Sequence, residues 1–218
     1  LWATTGGIVD TFMATISAAE NAVQNGATVM LNTEFEDFEI KHGRIVGVQT
    51  NRGRFGCRWA INAAGLFSDV VMHKAGVHPE FHITPRRGQY SVLDRADIQV
   101  NNVLFPEPSE KGKGILVTTT THGNAIVGPN AQSIEDPEDV SITEEGIEEI
   151  WRGAQKLVPG LSPRFMIAFF AGLRPHGNAT NSDFIIETYS NPLGFVNLGG
   201  IESPGLTSAP AIATRVVE

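Results

Sequence analysis

The stretch "NLGGIESPGLTSAPAIATRVVE", residues 197–218, decides how the end of the chain is read. A short apolar run, "GFVNL", leads into Gly199-Gly200, then Ile201, Glu202, Ser203, Pro204 and Gly205, and small and apolar residues follow. The pattern predicts a strand, a tight turn and a helix beginning near Pro204, because proline suits a first helical turn. Unpaired amides and the dipole at such a helix start favour an anion or an electron-rich carbonyl. Glycine at 199, 200 and 205 removes side chains that would block a close approach. What approaches is open at this point, since a packed backbone or a ligand satisfies the pattern equally.

The 218 residues suffice for one large domain or one and a half smaller ones. Hydrophobic residues make up 41% and charged residues 18%, an ordinary balance for a globular chain with a sizeable core. The formal net charge is −8 and no basic block is present, which argues against nucleic acid and anionic membrane surfaces as partners. The single cysteine, Cys57, excludes an internal disulfide and a multi-cysteine metal site. An unpaired thiol and the lack of a signal peptide or an 18-residue apolar run lead to a cytoplasmic expectation. Leu1 opens what reads as a domain interior, and Glu218 falls within a helical pattern, so a fragment of a longer chain is expected.

Working back from the C-terminal stretch, residues 11–25 place Phe12, Ile16, Ala19 and Val23 at helical spacing, with Asp10 as cap and Gly26 as stop. "ATVMLNTEFEDFEI", "RIVGVQT" and "RFGCRWAINAAG" read as three strands of an antiparallel meander, joined by turns at "KHG" and "NRG". "LFSDVVMHKAG" is a short helix. "HITPRRGQYSVLD" is a strand, and "GKGILVTTTTHGNAIVGPN" a hairpin around His122-Gly123-Asn124. An acidic loop precedes a helix starting near Thr143, and "RFMIAFFAGLRP", "SDFIIETYS" and "GFVNLGG" are three more strands. The expected class is α+β: a mixed, mostly antiparallel sheet with flanking helices, beside a β-meander and a C-terminal helix.

Three further features invite chemistry. Arg174 ends an apolar run, and its planar fork of donors suits a carboxylate or phosphate, or an ordinary surface ion pair. His176, two residues on, is a candidate proton acceptor or a plain loop histidine. Arg86 and Arg87 sit beside a glycine and Tyr90, and strand alternation would send the two arginines to opposite faces. His78 and His82 are separated by Pro79, which argues against a helical metal pair. Cys57 reads as a small buried side chain rather than a nucleophile.

Taken in order, "TGGIVDTFMATISAAENAVQNGATV", "INAAGLFSDVVMHKAG", "ITPRRGQYSVLD", "AIVGPNA", "AGLRPHGNATNSDFIIE" and "GFVNLGGIESPGLTSAPAIA" carry a resemblance that covers nearly the whole chain. They resemble the middle and C-terminal part of FAD-dependent oxidoreductases of the D-amino-acid-oxidase superfamily, in the glycerol-3-phosphate dehydrogenase and 2-hydroxyglutarate oxidase branch. The resemblance implies FAD as cofactor, with Gly199, Gly200, Ile201, Glu202, Ser203, Gly205 and Leu206 lining the isoalloxazine. It implies that Asn62, Ala63, Ala64 and Gly65 pass near the phosphates and ribityl chain, and that Arg174 lies at the substrate pocket. It divides the chain into a partial FAD-binding domain (1–80), a substrate-binding domain (81–175) and a return to the FAD-binding domain (176–218).

The departures carry equal weight. The GxGxxG turn of a dinucleotide-binding unit and its ribose-binding carboxylate are absent from this sequence, as is a cysteine-rich iron–sulfur domain. The expectation is therefore a fragment of a flavin-dependent dehydrogenase or oxidase, holding FAD weakly without an upstream Rossmann segment. Hydride would pass from a small anionic alcohol, glycerol 3-phosphate or a 2-hydroxy acid, with Arg174 as anion clamp and His176 as base. Arg86, Arg87 and Tyr90 complete the expected pocket. The alternatives are an amino-acid or amine oxidase of the same superfamily and a catalytically silent substrate or interface domain. Self-association is expected, and membrane association of a longer parent would have to be encoded elsewhere.

Overall fold

The structure is a computed structural model that describes residues 2–94, 100–107, 114–178 and 183–218. Gly112 and Lys113 of the expected hairpin, and residues 179–182 of the "RPHGNATNSDF" stretch, lie outside the described residues. In chain order the first elements are helix α1 (Thr11–Gln24), strands β1 (Phe35–Lys41), β2 (Arg44–Thr50), β3 (Gly53–Gly56) and β4 (Ala60–Asn62), and helix α2 (Ser68–Lys74). Strands β5 (Ile83–Leu93), β6 (Leu116–Thr119), β7 (Ala125–Gly128) and β8 (Gln132–Ser133) follow, then helix α3 (Glu144–Leu157). The chain ends with β9 (Met166–Gly177), β10 (Ile185–Ser190), β11 (Leu193–Gly199) and α4 (Gly205–Val217). The mixed α+β class is as expected from the sequence.

Contacts divide the chain into two units. One comprises Leu1–Met30, Arg87–Gln132 and Val140–Gly172, the other Leu31–Arg86, Ser133–Asp139 and Leu173–Glu218. In the first unit, β5 pairs antiparallel with β7 (Ser91 opposite Val127), and β7 with β6 (Val117 opposite Val127). The amphipathic helix α3 supplies Ile150, Trp151 and Ala154 to a core shared with Leu93, Val117, Ala125, Val127 and Leu161. Its start is locally encoded. The Thr143 hydroxyl accepts from the Gly146 N–H at 3.1 Å, and Glu144 and Glu145 occupy the positive end of the dipole.

In the second unit, β1, β2 and β3 form the expected antiparallel meander. Its first turn is a sequence effect. His42 and Gly43 have φ of 49° and 71°, the doubly left-handed pair that a two-residue hairpin needs, and Lys41 faces Arg44 across it. Two expectations change here. The first strand begins only at Phe35, and Val29, Met30 and Leu31 are exposed and unpaired into any sheet. The "RFGCRWAIN" run is two strands, and β4 leaves the meander to pair parallel with β11. The unit's core joins Ile45, Met72, Ala75, Phe81, Ile185 and Phe195.

Helix α1 starts as expected, with the Met13 N–H donating to Asp10 at 3.0 Å. Its apolar face stays uncovered, however, and no α1 residue is buried. Phe12 is 80% exposed and Met13, Ile16 and Val23 about half. At the other end, Pro204 stands just before α4 rather than in its first turn, and Pro210 lies inside the helix. Among the described residues, no helix is long and apolar enough to cross a membrane.

Candidate functional site

The second unit brings together three segments that are far apart in sequence. β4 and β11 run parallel with Asn62 opposite Asn197, so the turns that follow them, 63–67 and 199–204, leave the sheet at the same edge. The edge beyond the carboxyl ends of parallel strands is where α/β proteins place ligands. The end of β9 meets the second of these turns. A Cβ on Gly177 would stand 3.3 Å from the Cα of Gly200, and one on Gly200 would meet Gly177 at 3.5 Å. Next to this backbone contact, the His176 Nδ1 lies 2.9 Å from the Glu202 carboxylate. Arg174 and His176, two residues apart on β9, share a side of the strand. The "RPHG" and "GGIESPG" stretches are thus parts of one site.

The glycine-rich turn now has a cause. Gly199 and Gly200 are buried, and the close approach they permit is to the chain itself. A Cβ on Gly199 would meet Asn197 Nδ2 at 3.1 Å and Ser68 Oγ at 3.3 Å. One on Gly205 would stand 2.6 Å from Ile201 Cγ2. Gly200 also has φ of 62°, the left-handed region that favours glycine. The open part of the turn is further on. Ser203 and Leu206 are exposed, and no side chain caps α4. An uncapped helix start beside an open turn suits the electron-rich edge of a bound cofactor.

Asn62 is buried and holds the first turn closed. Its Nδ2 donates to Asn197 Oδ1 at 2.7 Å and to the Ser68 carbonyl at 2.8 Å, while its Oδ1 accepts from the Ala64 N–H at 3.1 Å. Ala63 and Ala64 are exposed and Gly65 half-buried. Of the "NAAG" segment, the alanines therefore offer surface and the asparagine sets their position. The sequence reading missed Asn197, whose side chain is fully buried in β11 and ties the two strands together. An asparagine within an apolar strand was the available signal, because a buried amide requires a partner.

Arg86 and Arg87 fall on opposite faces of β5. Arg86 is half-buried in the second unit, and Arg87 is 6% exposed in the first. The Arg87 guanidinium donates to Ser141 at 2.6 Å and to Gln132 at 3.1 Å, bonds of a network within that unit. Tyr90, also in the first unit, stacks on Phe170 with ring centroids 4.8 Å apart. His78 approaches His73 rather than His82, with Nδ1 atoms 3.2 Å apart, and no group of three potential metal ligands occurs among the described residues. Cys57 is half-buried beside the second core, and burial pushes its thiol above the usual range, which suits a packing role.

The whole chain, residues 1–218, matches the family model described as DAO: FAD dependent oxidoreductase. The chain belongs to this family. Glycerol 3-phosphate dehydrogenase of Caloramator mitchellensis is 41% identical over 221 residues, covering all of this chain and 45% of that protein. Glycerol 3-phosphate oxidase of Mycoplasma genitalium is 36% identical and covers 97% of this chain and 56% of its own length. The dithionite-reduced, FAD-bound L-alpha-glycerophosphate oxidase of Mycoplasma pneumoniae superposes with a TM-score of 0.85 at 36% identity, over 94% of this chain and 54% of that one. The chain spans about half the length of the relatives it matches.

Proposed function

We propose that this chain is the substrate-side and flavin-edge half of an FAD-dependent dehydrogenase or oxidase acting on glycerol 3-phosphate or a related small anionic 2-hydroxy acid. The observation that carries this reading is the convergence of Arg174, His176 and the 199–206 turn, together with relatives of that activity along the whole chain. The residues present fit the cofactor on structural grounds of their own. The uncapped start of α4 and the exposed Ser203 and Leu206 can take the carbonyl edge of an isoalloxazine, with Ile201 and Glu202 beside them. Ala63, Ala64 and Gly65, which follow β4 at the same sheet edge, would take its ribityl and phosphate portion. When bound, FAD supplies the acceptor for the hydride.

The chain's own part is binding and proton handling. Arg174 offers a bidentate clamp for the substrate anion, and His176 accepts the hydroxyl proton. Arg86 is the pocket candidate in the same unit, whereas Arg87 is buried and bonded within the other unit and Tyr90 stacks there on Phe170. An adenosine-binding segment would lie outside these 218 residues, which span about half the length of the relatives.

Visible absorbance before and after incubation with FAD and desalting tests the division of labour. The 218 residues alone retain no flavin band, and a protein that also carries a dinucleotide-binding segment does. In that flavin-loaded protein, Arg174→Leu raises the KM for glycerol 3-phosphate by about 100-fold, as loss of a bidentate charged contact does. A stable band on the 218 residues alone, or an unchanged KM, overturns the reading.

A further inference from the structure

The His176–Glu202 pair has the geometry of a base and its orienter. Nδ1 and Oε1 are 2.9 Å apart, and both side chains are partly withdrawn from water at 34% and 24% exposure. An ionised carboxylate can only accept, so the imidazole nitrogen facing it carries the proton. We propose that Glu202 is a positioning residue that holds the His176 proton on Nδ1 and leaves Nε2 as the nitrogen that accepts the substrate proton. The proposal rests on the reading of His176 as the base.

Both partners are held by their backbones, which separates this pair from a loose surface ion pair. His176 lies between Pro175, with its fixed φ, and Gly177, whose backbone abuts Gly200. The Glu202 N–H donates to the Gly200 carbonyl at 3.1 Å, and the Glu202 carbonyl accepts from the Gly205 N–H. The carboxylate is thus presented from a turn tied at both ends, to a ring on a strand that touches the same turn. An exposed, unrestrained pair would spend its attraction on ordering two flexible side chains. Here the ordering comes from the strand and the turn.

The chemistry balances within the proposed reaction. The alcohol loses hydride from carbon to the flavin and the hydroxyl proton to Nε2, and its C–O single bond becomes a carbonyl. The two electrons leave with the hydride. The resulting imidazolium keeps its Nδ1–H bonded to Glu202, which offsets the new positive charge and prevents the ring from rotating.

Two-bond proton–nitrogen correlation of the histidine side chains in the 15N-labelled 218-residue chain tests this directly. The spectrum is recorded at about pH 9, above the ordinary imidazole range. The resonance assigned to His176 by its loss in His176→Gln should show the Nδ1–H tautomer. Glu202→Gln keeps that tautomer, because its amide oxygen still accepts, and Glu202→Ala loses it. An Nε2–H tautomer in the unaltered chain, or an Nδ1–H signal unmoved in Glu202→Ala, overturns the proposal. In the flavin-loaded longer protein, Glu202→Ala lowers kcat by about tenfold or more at unchanged KM, and Glu202→Gln recovers part of it. An unchanged kcat also overturns the positioning role. Failure of the substrate reading shows elsewhere, as an Arg174→Leu variant with unaltered KM, while the tautomer result is read without flavin or substrate.

Discussion

Each unit buries an amide side chain against a glycine, and the two arrangements differ in how completely the amide is paired. In the first unit, Gln89 on β5 is fully buried and all of its polar atoms are used. Its Oε1 accepts from the Thr143 N–H at 2.8 Å, and its Nε2 donates to Gln132 at 3.0 Å and to Thr143 Oγ1 at 3.2 Å. In the second unit, Asn197 on β11 is equally buried, and its Oδ1 accepts from Asn62 while its Nδ2 has no hydrogen-bond partner among the described residues. Ser68 Oγ, also near Gly199, is likewise unpaired. A saturated amide fixes a joint, here the start of α3 on β5. An incompletely paired one costs stability and persists only where something else sets the geometry. The incomplete pairing lies directly beneath the turn proposed to carry the flavin edge.

The contrast makes its largest prediction at Gly146. A Cβ there would stand 2.0 Å from Gln89 Nε2 and 2.7 Å from Oε1. The amide cannot retreat, because it is enclosed and bonded on both atoms. Gly146→Ala should therefore cost about 3 kcal/mol, combining overpacking with the loss of one or more buried hydrogen bonds. Urea unfolding followed by fluorescence of Trp151, which packs in the same core, measures it. A cost below about 1 kcal/mol would mean that the network yields, and the contrast with Asn197 would vanish.

Asn62→Ala comes next. It removes the partner of Asn197 Oδ1, of the Ser68 carbonyl and of the Ala64 N–H together. About 2 kcal/mol is expected from these unmade bonds in a buried setting. Asn197→Ala removes one made bond and one unmet donor, so it should cost less than Asn62→Ala in the same urea titration. Equal costs would show that the unpaired Nδ2 carries no penalty.

What the sequence made legible follows the range of the interactions. The His42-Gly43 hairpin, the Asp10 and Thr143 caps and the periodicity of α3 are set within a few residues, and each appears where local chemistry places it. The β4–β11 pairing is set by a parallel contact across 135 residues between Asn62 and Asn197, and no local pattern announces it. The exposed "ATVM" segment shows the reverse case: strand-like side chains form no strand without a partner edge. At the site, the resemblance located the segments, but that Arg174 and His176 share a side follows only from β9 running on to Gly177. The His176–Glu202 bond was out of reach, because one residue reads as a strand end and the other as a turn. Their meeting depends on Gly177 touching Gly200. The glycine pair reads from sequence either as a packed turn or as room for a ligand, and in the structure the chain's own atoms stand against it.

The smallest effect is the sharpest test of the comparison, at Gly199. Its backbone is not left-handed, so alanine brings no conformational strain, unlike at Gly200. The added Cβ would lie 3.1 Å from Asn197 Nδ2 and 3.3 Å from Ser68 Oγ, closer than most Cβ contacts by a few tenths of an ångström. These atoms are the ends of side chains with no hydrogen bond to lose at that atom. They can move by that amount without breaking a bond, whereas the Gln89 amide cannot. Gly199→Ala should therefore cost less than about 1 kcal/mol, well below Gly146→Ala, since a small shift of unbonded groups relieves most of the overlap. If the two alanine variants cost the same, the tightness around Asn197 is that of a closed joint. The unpaired amide would then have to be held by β4 and α2 as rigidly as Gln89 is held by its bonds.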